Sequence, residues 1–407
     1  MAKSKMRVVH LATTDFGGAF KATMRINESL QKQGVESVVL VRSRINNTKA
    51  VEVIDTPVKK IVSKIRNGFN LLFCHGEVIS DLFGADVSQV SQILEADVVV
   101  LHWVNSFISA GSIKKLAKLR KPIIWVMHDM WVFTGGCHCD QYCGKYEFGC
   151  GSCPLMKSKN EYDRSYKNMQ EKMRLYAKTD ITFVVLSDWQ LSCARKSKAL
   201  TGKNIVKISN PLNIDIFRPM DRERLRMEKI NISQKIILFG ADKALEDRNK
   251  GFFYLVEALK RLDHEKYCAV CFGKAPEKNR IIDSDMKIIY LGTVQEEEEL
   301  AKWYNIADVF VAPSMQESFG YTVCEALSCG TPVAAFAVGG ILDQVQHKEN
   351  GYLARMKDAE DLAEGIEYCV KNRDKLTRNA REGVLQKSRY DVVGMKYFNL
   401  CKDVMKK

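Results

Sequence analysis

Short runs of apolar, often β-branched residues alternate with segments of helical periodicity along most of the chain. In the first half, the runs that we predict to be strands occupy residues 6–11, 37–41, 97–102, 122–127, 182–186 and 205–208. Most of them are apolar at consecutive positions, which is typical of strands covered on both faces. The alternation predicts a parallel β-sheet with crossover helices.

The same pattern starts again after about residue 235. The second series has predicted strands at 235–240, 267–272, 287–291, 308–311 and 332–336, with predicted helices at 251–262, 296–304 and 321–328. Two prolines bracket a polar segment between the two series, at residues 209–219, and such a segment is typical of a hinge. We therefore predict an α/β fold of two doubly wound, Rossmann-like domains that face each other across a cleft.

The predicted domains differ in charge. We place the first domain at residues 1–210 and the second at 211–389, and we expect a C-terminal helix at about 390–407 to pack back on the first. Residues 1–210 hold 31 Lys and Arg against 18 Asp and Glu, whereas the rest of the chain is neutral. The net charge of +13 therefore comes from the first half. A basic first half indicates an anionic partner, namely nucleic acid, acidic lipid headgroups or a phosphate-bearing substrate. The alternative is a solubilising surface without a partner.

Composition indicates a folded chain without a secretory or membrane-spanning segment. The 407 residues are 46% hydrophobic and 27% charged, which excludes disordered, collagen-like and disulfide-stapled classes. The basic start is followed by an apolar stretch that contains Arg7 and His10 and lacks a small-residue cleavage site, so it is not a signal peptide. The sequence contains no run of about 18 apolar residues, so we predict no membrane span. We expect a location in the cytoplasm or at the inner face of the cytoplasmic membrane, with the 13 cysteines mostly reduced.

One basic segment bears on membrane association. Residues 58–66 combine basic and apolar residues at helical spacing, with Lys59, Lys60, Lys64 and Arg66 as the charged positions. They form either an interfacial helix on anionic lipid or an ordinary amphipathic helix on the core.

The segment from Ala312 to Val333 carries the strongest candidate chemistry. A predicted strand ends in a loop that contains Glu317, and Gly320 opens a predicted helix whose free backbone N–H groups suit a phosphate. Glu325 lies about one turn into that helix. Carboxylates at these two positions can accept hydrogen bonds from sugar or ribose hydroxyls, although two glutamates at this spacing also occur on solvated helix faces.

The residues around these glutamates resemble the donor-binding signature of the retaining family 4 glycosyltransferases of GT-B fold. In that family, two glutamates separated by seven residues are followed by Ala and by Cys-Gly-Thr-Pro, as in residues 317–332 here. The resemblance implies that Glu317 contacts the transferred sugar and that Glu325 binds the ribose of the nucleotide. Between them, we expect Phe319, Gly320, Tyr321 and Thr322 to bind the donor as well.

A second motif lies before the helix that opens at Gly251. Residues 247–252 resemble the family's basic pair, which implies that Lys250 and Arg248 contact the donor diphosphate. An immobile cation there stabilises the charge that grows on the leaving phosphate. Many relatives carry an arginine directly after the glycine that ends the preceding strand. Here an alanine follows Gly240, so either Lys243 or Arg248 takes that role or the contact is lost.

The first half contributes two candidate sites at strand ends. Gly17 and Gly18 follow the first predicted strand, where glycine lets the backbone approach a ligand closely. His128 and Asp129 follow the predicted strand at 122–127. The resemblance implies that the glycines line the cleft near the donor phosphates, that His128 contacts the transferred sugar, and that Asp129 orients His128 or the acceptor. On the residues alone, such a glycine pair is usually a turn and a lone histidine usually has a structural role.

Residues 137–153 hold five cysteines, of which Cys137, Cys143, Cys150 and Cys153 are the candidate ligands, with His138 and Cys139 alongside. Two thiolate pairs on a loop can hold zinc tetrahedrally, although only the last pair has the spacing of a zinc knuckle. A structural metal, disulfides and unligated thiols are the three interpretations. A similar stretch in a bacterial polysaccharide subset of the family implies a structural role.

The resemblance implies a retaining hexosyltransferase that moves a sugar from a nucleotide diphosphate-sugar to a glycan or polyprenyl-phosphate-linked acceptor. The implied process is synthesis of a cell-surface polysaccharide such as capsule, O-antigen or exopolysaccharide, with no cofactor required for catalysis. The alternatives are a sugar-nucleotide epimerase of the same fold and a basic nucleic-acid-binding protein. We find no recognition-helix or RNA-stacking motif in the sequence, which disfavours nucleic acid.

Overall fold

The computed structural model describes residues 5–46, 48, 50–54, 78–79, 84–230, 232–240, 247–274 and 286–406. The chain divides into two compact units, one formed by Met1–Pro211 with Tyr390–Lys407 and the other by Leu212–Arg389. The basic segment at 58–66 and the candidate cation Lys243 lie outside the described residues. Among the described residues, no helix combines the length and the apolar character needed to cross a bilayer.

The first unit is built on a seven-stranded parallel sheet in the order β3-β2-β1-β4-β5-β6-β7. Its strands are β1 (Arg7–Thr14), β2 (Glu36–Ser43), β3 (Val51–Val53), β4 (Val98–Leu101), β5 (Ile123–Val126), β6 (Ile181–Val185) and β7 (Ile205–Lys207). The described helices are α1 (Gly18–Gln31), α2 (Ser91–Glu95), α3 (Ala110–Lys118), α4 (Arg164–Ala177), α5 (Asp188–Lys196) and α12 (Tyr390–Met405). The strand order reverses between β1 and β4, and the carboxyl ends of strands at such a point form a ligand crevice.

Residues from distant parts of the chain complete the first unit. Its central strands are buried along their length, and their side chains form one core that includes Leu11, Leu101 and Phe183. The C-terminal helix α12 packs on α1, where Tyr390 Oη donates a 3.0 Å hydrogen bond to the carboxylate of Glu28.

The second unit has a six-stranded parallel sheet in the order β10-β9-β8-β11-β12-β13. Its strands are β8 (Lys235–Gly240), β9 (Tyr267–Phe272), β10 (Ile288–Gly292), β11 (Val309–Ala312), β12 (Val333–Phe336) and β13 (Gly351–Ala354). The described helices are α6 (Arg222–Lys229), α7 (Phe252–Leu259), α8 (Glu297–Ile306), α9 (Tyr321–Ser328), α10 (Ala359–Lys371) and α11 (Arg373–Ser388). Here the strand order reverses between β8 and β11.

Candidate functional site

The second unit has a small crevice at the point where its strand order reverses. Gly240 ends β8 and Ala312 ends β11, and the chain continues from them toward α7 and α9. A cavity between these strand ends is lined by Gly240, Lys250, Pro313 and Thr322, among others. The sheet topology therefore brings two of the sequence-predicted donor residues, Lys250 and Thr322, to one ligand crevice.

An ion pair lies beside this crevice. Nζ of Lys250 donates to Oε2 of Glu317 over 2.8 Å, and the side chains are 30% and 21% exposed. The pair joins two segments that are 67 residues apart in the chain. Because each group neutralises the other in this pair, an anionic ligand that binds Lys250 would leave the Glu317 carboxylate available to hydroxyl groups.

Hydrogen bonds to backbone carbonyls hold the two segments together. The side-chain amide of Asn249 donates to the carbonyl oxygen of Gln316 over 2.7 Å, and the N–H of Met315 donates to the carbonyl of Asn249 over 2.7 Å. Gly251 has a φ of +67°, and a Cβ added there would lie 1.8 Å from the carbonyl oxygen of Pro313. The turn that carries Lys250 is therefore fixed against the loop that carries Glu317.

A second close approach supports the Glu317 loop from the other side. Gly339 has a φ of +53°, and an added Cβ would lie 2.0 Å from the carbonyl oxygen of Glu317. The N–H of Gly340 donates to that same carbonyl over 2.7 Å. The side-chain amide of Gln344 donates to the carbonyl of Phe319. These contacts fix the backbone on both sides of Glu317.

Replacing Gly339 with alanine is expected to lower the free energy of unfolding by about 1–3 kcal/mol, because the added methyl group meets backbone and φ is positive. The Glu317 loop must move to accommodate it, so activity falls as well. Thermal melting and turnover measure the two effects.

Gly383→Ala is the matched control, since Gly383 lies within α11 and an added Cβ would meet nothing within 4 Å. Alanine there is expected to be neutral or to stabilise by about 0.5–1 kcal/mol. If both variants melted with the wild type, the close packing at Gly339 would be disproved.

Helix α9 begins at this site with a glycine cap. Gly320 has a φ of +84°, and its carbonyl accepts from the N–H groups of Val323 and Cys324. The first turn of a helix leaves backbone N–H groups that no helical carbonyl accepts, which favours an anion. Phe319 is buried and its ring contacts that of Tyr321 at 5.1 Å between centroids.

The two remaining donor candidates of this unit occupy different environments. Glu325 is 4% exposed and accepts a 3.2 Å hydrogen bond from Tyr304 Oη of α8. Arg248 is exposed on the short 3₁₀ turn that ends at Lys250. The contact of Glu325 with ribose and that of Arg248 with phosphate stay predictions.

In the first unit, Gly17 and Gly18 lie at the carboxyl end of β1. Gly17 has a φ of +87° and precedes the first residue of α1, and a Cβ added at either glycine would meet nothing within 4 Å. The loop therefore presents open space at the β1–β4 reversal, as an approach of ligand to backbone requires.

His128 follows β5 in the same unit and is half-buried. Its Nε2 is hydrogen-bonded to Nδ1 of His102 at 2.9 Å. Burial lowers the pKa of His128 to about 4, although the charge of Asp129 opposes this shift. His128 is therefore a neutral hydrogen-bonding group at neutral pH and not a cation.

Asp129 makes its own contacts. Its Oδ2 lies 2.6 Å from Nδ1 of His138 and accepts from the indole N–H of Trp103 over 3.1 Å. Its Oδ1 accepts from the N–H of Trp131 over 2.8 Å. We expected Asp129 to orient His128 or the acceptor. The hydrogen-bond partner that the structure gives His128 is His102, to which we assigned no role from sequence.

The four clustered cysteines line one cavity of the first unit. All are free thiols, and burial raises the pKa of Cys150 to about 12 and also raises those of Cys137 and Cys143. Across the described part of the chain, no three His, Cys, Asp or Glu side chains are placed to hold one metal ion. Cys153 lines the same cavity as the other three cysteines. Among the described residues, the four thiols do not form a coordination shell for a metal ion.

Zinc at Cys137, Cys143, Cys150 and Cys153 thus stays a prediction that this arrangement does not support. If it is right, elemental analysis of the purified protein finds about one zinc per chain. Absence of zinc would leave unligated thiols as the interpretation.

Residues 223–384 match the family described as Glycosyl transferases group 1. The chain is similar to N-acetyl-alpha-D-glucosaminyl L-malate synthase of Bacillus anthracis, with 27% identity over 219 residues, which are 50% of this chain and 55% of the relative. The chain spans about half the length of the curated relatives it matches.

Two solved structures resemble the whole chain. Sucrose-phosphate synthase from Thermosynechococcus elongatus gives a TM-score of 0.69 at 17% identity and covers 99% of this chain and 100% of its own. The Anabaena protein HepE in complex with UDP-glucose gives 0.67 at 15% identity, covering 98% and 100%. Similarity at this identity concerns the fold alone, and it confirms the predicted GT-B fold with two Rossmann-like α/β domains.

Proposed function

We propose that the protein is a retaining glycosyltransferase, because residues 223–384 match the family described as Glycosyl transferases group 1. It moves a hexose from a nucleotide diphosphate-sugar to a glycan or polyprenyl-phosphate-linked acceptor in cell-surface polysaccharide synthesis. The observation that carries the proposal is the Lys250–Glu317 pair at the β8–β11 crevice, which offers one cation and one carboxylate to a ligand with phosphates and hydroxyls.

The donor binds to the second unit in this proposal. Lys250 and the first turn of α9 hold the diphosphate, because both present positive charge at the crevice. The phosphate displaces Glu317 from Lys250, and the freed carboxylate then accepts hydrogen bonds from the sugar hydroxyls. Glu325 binds the ribose with the carboxylate that also accepts from Tyr304 Oη.

Transfer breaks the bond between the anomeric carbon and the phosphate oxygen. The acceptor hydroxyl attacks from the face that the phosphate leaves, so the anomeric configuration is retained. The leaving phosphate takes the acceptor proton, and Lys250 stabilises the charge that develops on it. His128, being neutral, supplies a hydrogen bond to the transferred sugar.

The acceptor is assigned to the first unit on charge. The excess of Lys and Arg lies in residues 1–210, and a phosphate-linked acceptor at the inner face of the cytoplasmic membrane complements it. Part of that excess, at 58–66, lies outside the described residues.

A thermal-shift screen of nucleoside diphosphates and their sugars tests the donor. A ligand that binds only the folded state at about 100 times its Kd stabilises it by about 2.7 kcal/mol, so one base should raise the melting temperature clearly above the others. Product analysis with the donor alone then distinguishes transfer from epimerisation, since an epimerase converts the donor without an acceptor. A uniform absence of shifts would contradict the proposal.

A further inference from the structure

A row of four polar side chains crosses the sheet of the first unit. Ser37 Oγ lies 3.0 Å from His10 Nε2, His10 Nδ1 lies 2.8 Å from His102 Nε2, and His102 Nδ1 lies 2.9 Å from His128 Nε2. Both ring nitrogens of His10 and of His102 are therefore used within the row. Nδ1 is the ring nitrogen of His128 that the row leaves for a ligand.

The register of the parallel strands explains the row. Ser37 lies in β2 and His10 in β1, while His102 and His128 follow the ends of β4 and β5. These four strands are adjacent in the sheet. From Ser37 to His128, each residue of the row lies two positions beyond the residue that pairs with the previous member. For example, His10 pairs with Val100, and the row continues at His102. Steps of two keep all four side chains on one face. The row thus leads diagonally to the carboxyl end of β5.

The row is buried except at one end. Ser37, His10 and His102 are at most 4% exposed, whereas His128 is half-buried. Burial lowers the pKa of His10 to about 3 and that of His102 well below its usual range, with further lowering of the latter by its two histidine neighbours. The rings are therefore neutral at pH 7, and each carries one N–H.

One proton per ring couples the three tautomers. If the proton of His102 lies on Nε2, it donates to Nδ1 of His10, and Nδ1 of His102 must accept from Nε2 of His128. If it lies on Nδ1, both bonds reverse. In the first case all three rings carry the proton on Nε2, and in the second all three carry it on Nδ1. Mixed tautomers would place two protons or none between two nitrogens.

We propose that Ser37, His10 and His102 are positioning residues that act through His128, fixing its ring and deciding whether its Nδ1 donates or accepts a hydrogen bond. The second ring nitrogen of a histidine commonly sets the tautomer of the first in this way. This inference rests on the proposed function for its ligand, a sugar hydroxyl of the donor. The coupling itself depends only on the geometry of the row.

Nitrogen-15 NMR of the histidine-labelled, ligand-free protein at pH 7 tests the coupling. The chain has seven histidines, and the variants His10→Phe, His102→Phe and His128→Phe assign the three signals. We expect all three rings to be neutral and to show the same tautomer. A charged ring, or two different tautomers within the row, would overturn the proposal.

A double-mutant cycle tests the action through His128. His102→Phe is expected to lower kcat by about tenfold, the factor that corresponds to one hydrogen bond. In the variant with both histidines replaced by Phe, the rate should equal that of His128→Phe alone, because His102 has no separate route to the substrate. Additive losses would show that His102 acts independently and would contradict the proposal.

One further variant separates hydrogen bonding from packing. His102→Asn keeps an amide near the position of Nδ1 and should lose less activity than His102→Phe, which keeps the ring volume. A role in packing predicts the opposite order. His264→Phe in the second unit is the control outside the row. If the wild type transfers no sugar, the proposed function fails, while the NMR result on the unliganded protein still decides whether the row is coupled.

Discussion

Replacing Glu317 with alanine is expected to remove nearly all sugar transfer and to leave nucleotide binding intact. The carboxylate is the group at the β8–β11 crevice that we assign to the sugar hydroxyls, so its removal affects the transferred group and not the nucleotide. Loss of a positioned electrostatic contact of this kind lowers kcat by about 10²–10³-fold. Nucleoside diphosphate affinity should not fall, because the phosphate no longer has to displace the Glu317 carboxylate from Lys250.

Turnover and calorimetric binding on the same preparations measure both parts of this prediction. Glu299→Ala is the matched control, since Glu299 forms ion pairs with Lys229 and Lys302 and has no assigned role in the site. Turnover of Glu317→Ala close to the wild-type rate would show that its assignment is wrong. A parallel loss of nucleotide affinity would indicate that the substitution disturbs the loop rather than the sugar contact.

Replacing Lys250 with alanine is expected to weaken the binding of the nucleoside diphosphate and to slow transfer by a larger factor. A hydrogen bond to a charged group contributes about 1.5–3 kcal/mol, which corresponds to about 10- to 100-fold in Kd. The effect on kcat should exceed the effect on Kd, because negative charge grows on the leaving phosphate during the reaction. Calorimetry with the diphosphate and single-turnover kinetics give the two values.

The ion pair predicts non-additivity as well. Because Lys250 and Glu317 contact each other at 2.8 Å, the double alanine variant should lose less activity than the sum of the single losses in free energy. Lys229→Ala serves as the control, since Lys229 pairs with Glu299 on α8. An unchanged nucleotide affinity in Lys250→Ala would remove this lysine from the donor site.

Much of the fold could be predicted because long apolar runs mark the buried parallel strands. The helix predicted at 321–328 agrees with α9 in both bounds. Two strands escaped prediction. β3 has three residues, Val51–Val53, of which two are exposed, and β13 begins at a glycine. Both lie at the edges of their sheets, and neither has the longer apolar run that marks the central strands.

The candidate site was predictable where a motif is local and not where the chain folds back. Glu317 and Lys250 were found through resemblance, but only the fold joins them across 67 residues. The approach of Gly339 to the carbonyl of Glu317 depends on the loop after β12. His10 and His102 are 92 residues apart, and their contact requires the strand order and register of the sheet. These tertiary contacts have no signal in the sequence pattern.

Hydrogen–deuterium exchange with and without the donor identified by the screen tests most directly whether the β8–β11 crevice is the donor site. Bound diphosphate should cover the first turn of α9 and the turn at Lys250. We therefore expect slower exchange in peptides that span residues 313–324 and 247–255, and Glu317→Ala should retain that protection. Donor binding that leaves both peptides unprotected would contradict the account.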